Sequence, residues 1–550
     1  MRFLIQCIRL VLSASALSGA HLHAHLPTQE DTITNRRRLN ELTSPYCLAI
    51  PEGGFVYYSH PMVEGWLQNE INTEKVRDIR TQLNPYLKIP LSKEGFTRAS
   101  TRNSADSVDA TGYSAIWVRD CCWHYYGLKI KDRSSANQLM LSLLNFYSSD
   151  EQVHRFLAII EKPELADPAY NRDAHMAVPL IRFSSETLSH YQIDNKDQEW
   201  LHLQFDSHGL FLLALSDALS SGIISRADLK NRYLEVLALF PAFFMETKYW
   251  QKRDAGPWEE ELLNNASSAG LIASGLKRFM DVIHGDQALS LGLVEAIRNM
   301  KKKYSNRALL EKIESALSSE NIQKLYQEGV KRVEKNLSLG GEAPNLSGQA
   351  IGRRADVALL FLCLPEHTLY YDNPQKMREI LNITLSLVGP YGVYRYKYDA
   401  YQAMNYWIDY EIPSAISGPR TIELSFLTRF NKGYAPNKQP YDAQWFFDSN
   451  FASVYYKLAL LVDGRDEQKY YVRNGDMHLK RSLAQLTGPD GYAANGEKLQ
   501  ALQLPESVNT VYDADNHFRP MPSPICPLGW ATAALLMALE DAEAAHMFVE

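Results

Sequence analysis

Trp258-Glu259-Glu260-Glu261 sets three carboxylates behind an indole, just after Gly256-Pro257 and just before an apolar helical run. A proton donor that works at neutral pH needs a carboxyl with a raised pKa. An aromatic wall raises it by desolvation and neighbouring carboxylates raise it by like-charge repulsion. The plainer alternative is an acidic first helical turn that complements the helix dipole. A second candidate, Glu506 in Leu504-Pro505-Glu506-Ser507, lies on a long Pro-rich loop ahead of the last apolar run. Glu259 and Glu506 together offer what glycoside hydrolysis requires, one group to protonate the leaving oxygen and one to activate water. They are far apart in sequence, so only a closed architecture brings them together.

Other stretches combine rings with charge. Tyr113, Trp117, Arg119 and Asp120 fall in YSAIWVRD at the opening of a helix. A planar guanidinium donates to vicinal sugar hydroxyls while the adjacent carboxylate accepts from them, and aromatic faces cover the apolar side of the sugar. A structural Arg-Asp ion pair among buried rings is the alternative. WLHLQFD contributes Trp200, Gln204 and Asp206, and the loop from Tyr391 to Tyr401 contributes Arg395, Tyr396 and Asp399. A polyhydroxylated ligand calls for this density of ring-plus-charge clusters on loops.

These groups must be positioned by helices. Apolar residues recur at helical spacing from Trp117, in Gln138 to Tyr147, Val153 to Ile160, Ser207 to Leu219, Leu229 to Phe244 and Ala266 to Val282. The period continues in Leu289 to Met300, Ala308 to Val333, Asp356 to Leu364, Met377 to Val388, Phe446 to Leu461, Gln468 to Leu486 and Gly529 to Ala545. Strand-like alternation is sparse, and no fixed repeat marks a solenoid. An all-α toroid of six inner and six outer helices, an (α/α)6 barrel, fits best, because its loops converge at one end. Residues 1–20 read as a signal peptide, 21–90 as an extension packed on the main domain, and 91–550 as the catalytic domain. The charge-rich Gly285 to Ala350 reads as solvated outer helices without chemistry.

Of 550 residues, 45% are hydrophobic and 22% charged, enough for a sizeable core. A formal charge of -7 argues against a nucleic-acid partner. The apolar run to Leu17 followed by Ser18-Gly19-Ala20 has the pattern of a secretory leader, pointing to a secreted or periplasmic protein. No later stretch has the ~18 apolar residues of a membrane span. The cysteines, Cys7, Cys47, Cys121, Cys122, Cys363 and Cys526, have no zinc-ligand spacing and read mainly as small buried apolar groups. No metal or cofactor is expected, and the protein is expected to act as a monomer.

Taken in order, YSAIWVRD, WLHLQFD, GPWEE, GPYGVYRYKYD, LPES and PLGWATAALLMAL resemble the motifs of the glucoamylase family, glycoside hydrolase family 15, over residues 113–539. The resemblance implies an (α/α)6 barrel that releases glucose from the non-reducing ends of starch- and glycogen-like α-glucans, with inversion and without a metal. It implies Glu259 as general acid and Glu506 as general base. Arg119, Asp120 and Arg395 would bind hydroxyls of the terminal glucose, Glu260 would contact the adjoining sugar, and Tyr113 and Trp530 would supply ring faces. HLQFDSHGLFLLALSDALSSGI and NNASSAGL are also similar to the glucoamylase-related domain of phosphorylase kinase large regulatory subunits. That similarity implies the alternative of a non-catalytic, glycan-sensing regulatory module.

Overall fold

The computed structural model describes residues 46–101, 113–193, 196–260, 262–344, 353–396, 399, 443–493, 497–512 and 518–550. The expected leader at 1–20, Glu261 and Tyr401 lie outside these residues.

Helices dominate. After a hairpin of β1 (Tyr46–Ala49) and β2 (Phe55–Tyr58) come α1 (Pro61–Gln68) and α2 (Thr73–Leu83). The chain then alternates between an inner and an outer layer. The inner elements are α3 (Val118–Lys131), α6 (Phe205–Ser220), α8 (Ala266–Gly285), a 3-10 turn at Val357–Leu362, α13 (Asp448–Leu461) and α15 (Gly529–Val549). Each packs on the next in this order, and α15 packs back on α3, so the ring closes. The outer helices are α4 (Arg133–Tyr147), α7 (Asn231–Thr247), α11 (Ser319–Ser338), α12 (Pro374–Thr384) and α14 (Arg465–Ala484), with α2 covering α15. Three more helices, α5 (Asp150–Glu161), α9 (Gln287–Lys303) and α10 (Arg307–Ala316), pack on the outer side of α7. This is the (α/α)6 barrel, with α2 drawn from the segment read as an extension.

Burial patterns follow from the two layers. In α6 every residue from Phe205 to Ala218 is buried, because neighbours surround the helix on all sides. In α11 the buried residues Ile322, Leu325, Gly329, Val333, Asn336 and Leu337 make a single stripe, and the other face is solvated. Helices α6 and α8 touch backbone to backbone. A Cβ on Gly209 would lie 2.5 Å from the Ile272 nitrogen, and one on Gly275 would lie 2.6 Å from the Gly209 oxygen.

Two expected helices differ. The run Ala308 to Val333 is broken at Leu317-Ser318, where the Ser318 hydroxyl caps α11 by accepting from Asn321 N. Asp356 to Leu364 forms only a 3-10 turn, begun by the Asp356 carboxylate accepting from Ala358 N and followed by Pro365, which ends it. Cys121, Cys122, Cys363 and Cys526 are buried free thiols, and Cys47 is exposed. Among the described residues no helix is long and apolar enough to cross a membrane.

Short strands finish the site end. Strands β3 (Ile116–Trp117) and β4 (Arg182–Phe183) pair Trp117 with Arg182. An antiparallel sheet of β5 (Gln444–Trp445), β6 (Ser507–Tyr512) and β7 (Phe518–Pro522) sets Trp445 opposite Ser507, which brings Glu506 to the same rim.

Candidate active site

The inner elements all begin at one end of the ring, and the chemistry collects there. Arg119 and Asp120 lie in the first turn of α3, Gln204 and Asp206 flank the start of α6, Glu259 precedes α8, and Trp530 opens α15. A cavity of about 110 Å³ at this end is lined by Tyr113, Trp117, Arg119, Asp120, Trp200, Trp258, Glu259, Arg395, Trp445, Glu506 and Trp530. Both carboxylates of the expected pair therefore face one space.

Glu259 follows a single 3-10 turn, Gly256–Trp258, and has a left-handed backbone with φ of 60°. It is therefore not part of an acidic first helical turn; α8 begins only at Ala266. Arg119 donates through Nη2 to Glu259 Oε1, and the Trp200 indole donates to Oε2 at 3.2 Å. Burial pushes the Glu259 carboxyl up to about 7 against the pull of Arg119, with Asp120 adding like-charge repulsion. The repelling neighbour is thus Asp120 and not the next residue in the chain.

Glu260 points the other way. Its carboxylate is fully buried, accepting from Arg395 Nη2 at 2.8 Å and from the Tyr396 hydroxyl at 2.5 Å, with Arg353 Nη1 at 3.7 Å. It does not line the cavity, so the expected contact with an adjoining sugar is not what this geometry presents. Arg395 does line it, with its guanidinium between the Trp258 and Trp445 rings at 5.2 and 4.9 Å. Asp399 holds the other side of that guanidinium, accepting from Nε at 2.7 Å and from Nη2 at 2.6 Å.

Gln204 and Asp206 also stand behind the cavity wall. Arg119 Nη1 donates to Gln204 Oε1 at 2.9 Å and to Asp206 Oδ2 at 3.2 Å. The two residues brace Arg119 and do not reach the cavity. Asp120 does, and burial raises its carboxyl to about 6 although Arg119 opposes the shift. Glu506 accepts a hydrogen bond from the Tyr113 hydroxyl, and its backbone N–H donates to Ile525 O at 2.9 Å. Trp258 lines the cavity with its ring and donates its N–H to both oxygens of Asp356, at 2.9 and 3.1 Å. Trp530 stacks on Trp123 at 5.6 Å while reaching the cavity, so it is both core and wall.

Sequence reasoning missed Trp445 and Arg182. Arg182 is buried with its guanidinium 4.2 Å from the Trp200 ring centroid and 5.1 Å from that of Trp117, and its charge acts on Glu259. It sits in VPLIRFSS, where an apolar context gave no sign of a site; its pairing with Trp117 across β3 and β4 was the missing signal.

Residues 85–402 match the sequence profile of glycosyl hydrolases family 15. Over 203 residues, 34% of this chain and 75% of the other, the chain is 29% identical to the uncharacterized lipoprotein YgeQ of Escherichia coli (strain K12). Among solved structures, the glucoamylase of Saccharomycopsis fibuligera is 13% identical, with 90% of this chain and 99% of that one covered and a TM-score of 0.48. The family 15 glucoamylase of Hypocrea jecorina is 11% identical, with 86% and 73% covered and a TM-score of 0.44. With the profile matching more than half of its residues, the chain belongs to glycosyl hydrolases family 15 and is a glycoside hydrolase.

Proposed function

We propose that this enzyme releases glucose from the non-reducing ends of α-glucans such as starch, glycogen and malto-oligosaccharides, by single displacement with inversion. The observation that carries the reading is that Glu259 and Glu506 line the same cavity, with burial pushing the Glu259 carboxyl up to about 7. The protonated Glu259 gives its proton to the glycosidic oxygen as the C–O bond breaks. A water oxygen bonds to the anomeric carbon, and its proton passes to Glu506, which the Tyr113 hydroxyl holds in place by donating a hydrogen bond to it. Arg119 and Asp120 supply a donor and an acceptor for adjacent hydroxyls of the terminal sugar, and the indoles cover its apolar faces. The small size of the cavity, about 110 Å³, supports action on a chain end.

The presence of both carboxylates on one cavity wall favours this reading over a glycan-sensing module without catalysis. The lipoprotein likeness, together with the leader-like residues 1–20, supports a place outside the cytoplasm. Maltotriose digestion followed by NMR before mutarotation should show β-glucose first; initial α-glucose would remove Glu506 from the role of base. Parallel assays with isomaltose, glycogen and trehalose fix the linkage.

A further inference from the structure

The turn that presents Glu259 is conformationally costly at Glu259 itself, a residue with a Cβ held at a φ of 60°, while Gly256 opens the turn at 61° without that penalty. Such a turn persists only where its surroundings over-determine it. Its surroundings centre on Asp254, a buried carboxylate outside the cavity wall. Oδ2 accepts from Gly256 N at 3.1 Å, from Phe205 N at 3.0 Å and from the Ser268 hydroxyl at 2.8 Å. Oδ1 accepts from Asn265 Nδ2 at 3.0 Å. The same Asn265 amide packs so closely on Gly256 that a Cβ there would come within 2.6 Å of it.

We propose that Asp254 is a positioning residue for the general acid: its carboxylate clamps the acid turn to the starts of α6 and α8. Through Phe205 it also fixes the segment whose neighbours Gln204 and Asp206 brace Arg119, the guanidinium that donates to Glu259. One carboxylate thereby sets the acid and its charged partner in register. Every partner is a donor, so a carboxylate suits the position and an amide does not, because its NH2 would face an N–H. The inference rests on Glu259 being the acid.

The test compares Asp254→Asn and Ser268→Ala with the parent enzyme. With the turn loosened, water reaches Glu259, and the alkaline limb of kcat/KM should move to lower pH. The other groups that act on Glu259, namely Arg119, Asp120, Arg182 and Trp200, are chemically unchanged. For Asp254→Asn, kcat should fall about tenfold or more with KM within about threefold, the pattern of a misplaced catalytic group. Ser268→Ala, which loses one bond of the four, should move the limb the same way by less. Because the Trp200 indole donates to Glu259, a pH titration of tryptophan emission, taken as the difference from Glu259→Gln, reads the same shift without turnover.

A folded Asp254→Asn or Ser268→Ala with an unmoved limb and unmoved emission midpoint overturns the proposal. Should Asp254→Asn not fold, Ser268→Ala decides by both readouts. Failure of the parent enzyme to release glucose from any α-glucan would instead overturn the substrate assignment, and the emission titration would still decide the role of Asp254.

Discussion

At the scale of single residues, the site depends on which carboxyl keeps its proton. Glu259→Gln removes the proton donor but keeps shape and burial, so turnover should fall by ~10² to 10⁴ or more with folding and ligand binding little changed. If Glu260→Gln were the more damaging change, the acid would have been misplaced by one position. Glu260 instead holds Arg395, so its loss should act mainly by loosening that guanidinium. Arg119 poses a different test. It bonds Gln204 and Asp206 through one terminal nitrogen and Glu259 through the other, a planar fork that a lysine ammonium cannot reproduce. Arg119→Lys should therefore cost nearly as much in kcat/KM as Arg119→Ala; parent-like kinetics for the lysine variant would make the pair structural.

At the scale of elements, the contact of α6 with α8 is the most exacting. Gly275→Ala would drive a methyl into the Gly209 carbonyl, and α6 carries Asp206 at its start. Overpacking of this kind costs about 1 to 3 kcal/mol. We expect a lower unfolding midpoint in denaturant and a fall in kcat, because any separation of the helices displaces the brace of Arg119. Much of this level was legible in the chain. Inner and outer helices announce themselves by apolar period, and the carboxylate pair by its surroundings of rings. What could not be read is which way a side chain faces. Glu259 and Glu260 are adjacent and chemically alike, yet the left-handed φ at Glu259 sends one into the cavity and the other toward Arg395. Gln204 and Asp206 read from the sequence as substrate-binding groups, but the packed starts of α3 and α6 make them meet Arg119 from behind. The short 3-10 turn at Val357–Leu362 looked like a helix because its composition is that of a buried one, and periodicity over so few residues does not distinguish the two.

At the scale of the whole molecule, burial of many ionisable groups sets how stability follows pH. Burial raises Glu259 to about 7 and Glu342 to about 8, so each stabilises the fold as the protonated acid. That contribution is complete below the unfolded carboxyl range and is lost as pH rises through 7 to 8. The buried His124 and His208 are pushed down to about 3, so they favour the fold as neutral rings, a contribution complete above 6.5 and lost as pH falls. The two sets oppose one another below 6.5, and above it only the carboxyls still change. Thermal unfolding followed from pH 6.5 to 8 should therefore show a falling Tm; a flat or rising profile would mean these acids are ionised in the fold at neutral pH.

Ring closure has a consequence for how the protein is made. Thr73, at the start of α2, is clasped by the Glu550 carboxylate 477 residues later, and α15 lies between α3 and α13. During synthesis the two flanking inner helices must wait, with the apolar sides meant for α15 open to water, until Gly529–Val549 emerges. Such a long-deferred contact favours slow assembly and a need for chaperones. It also means that a nascent chain already carrying both Glu259 and Glu506 still lacks Trp530 and one wall of the cavity they share, which is complete only when the ring seals.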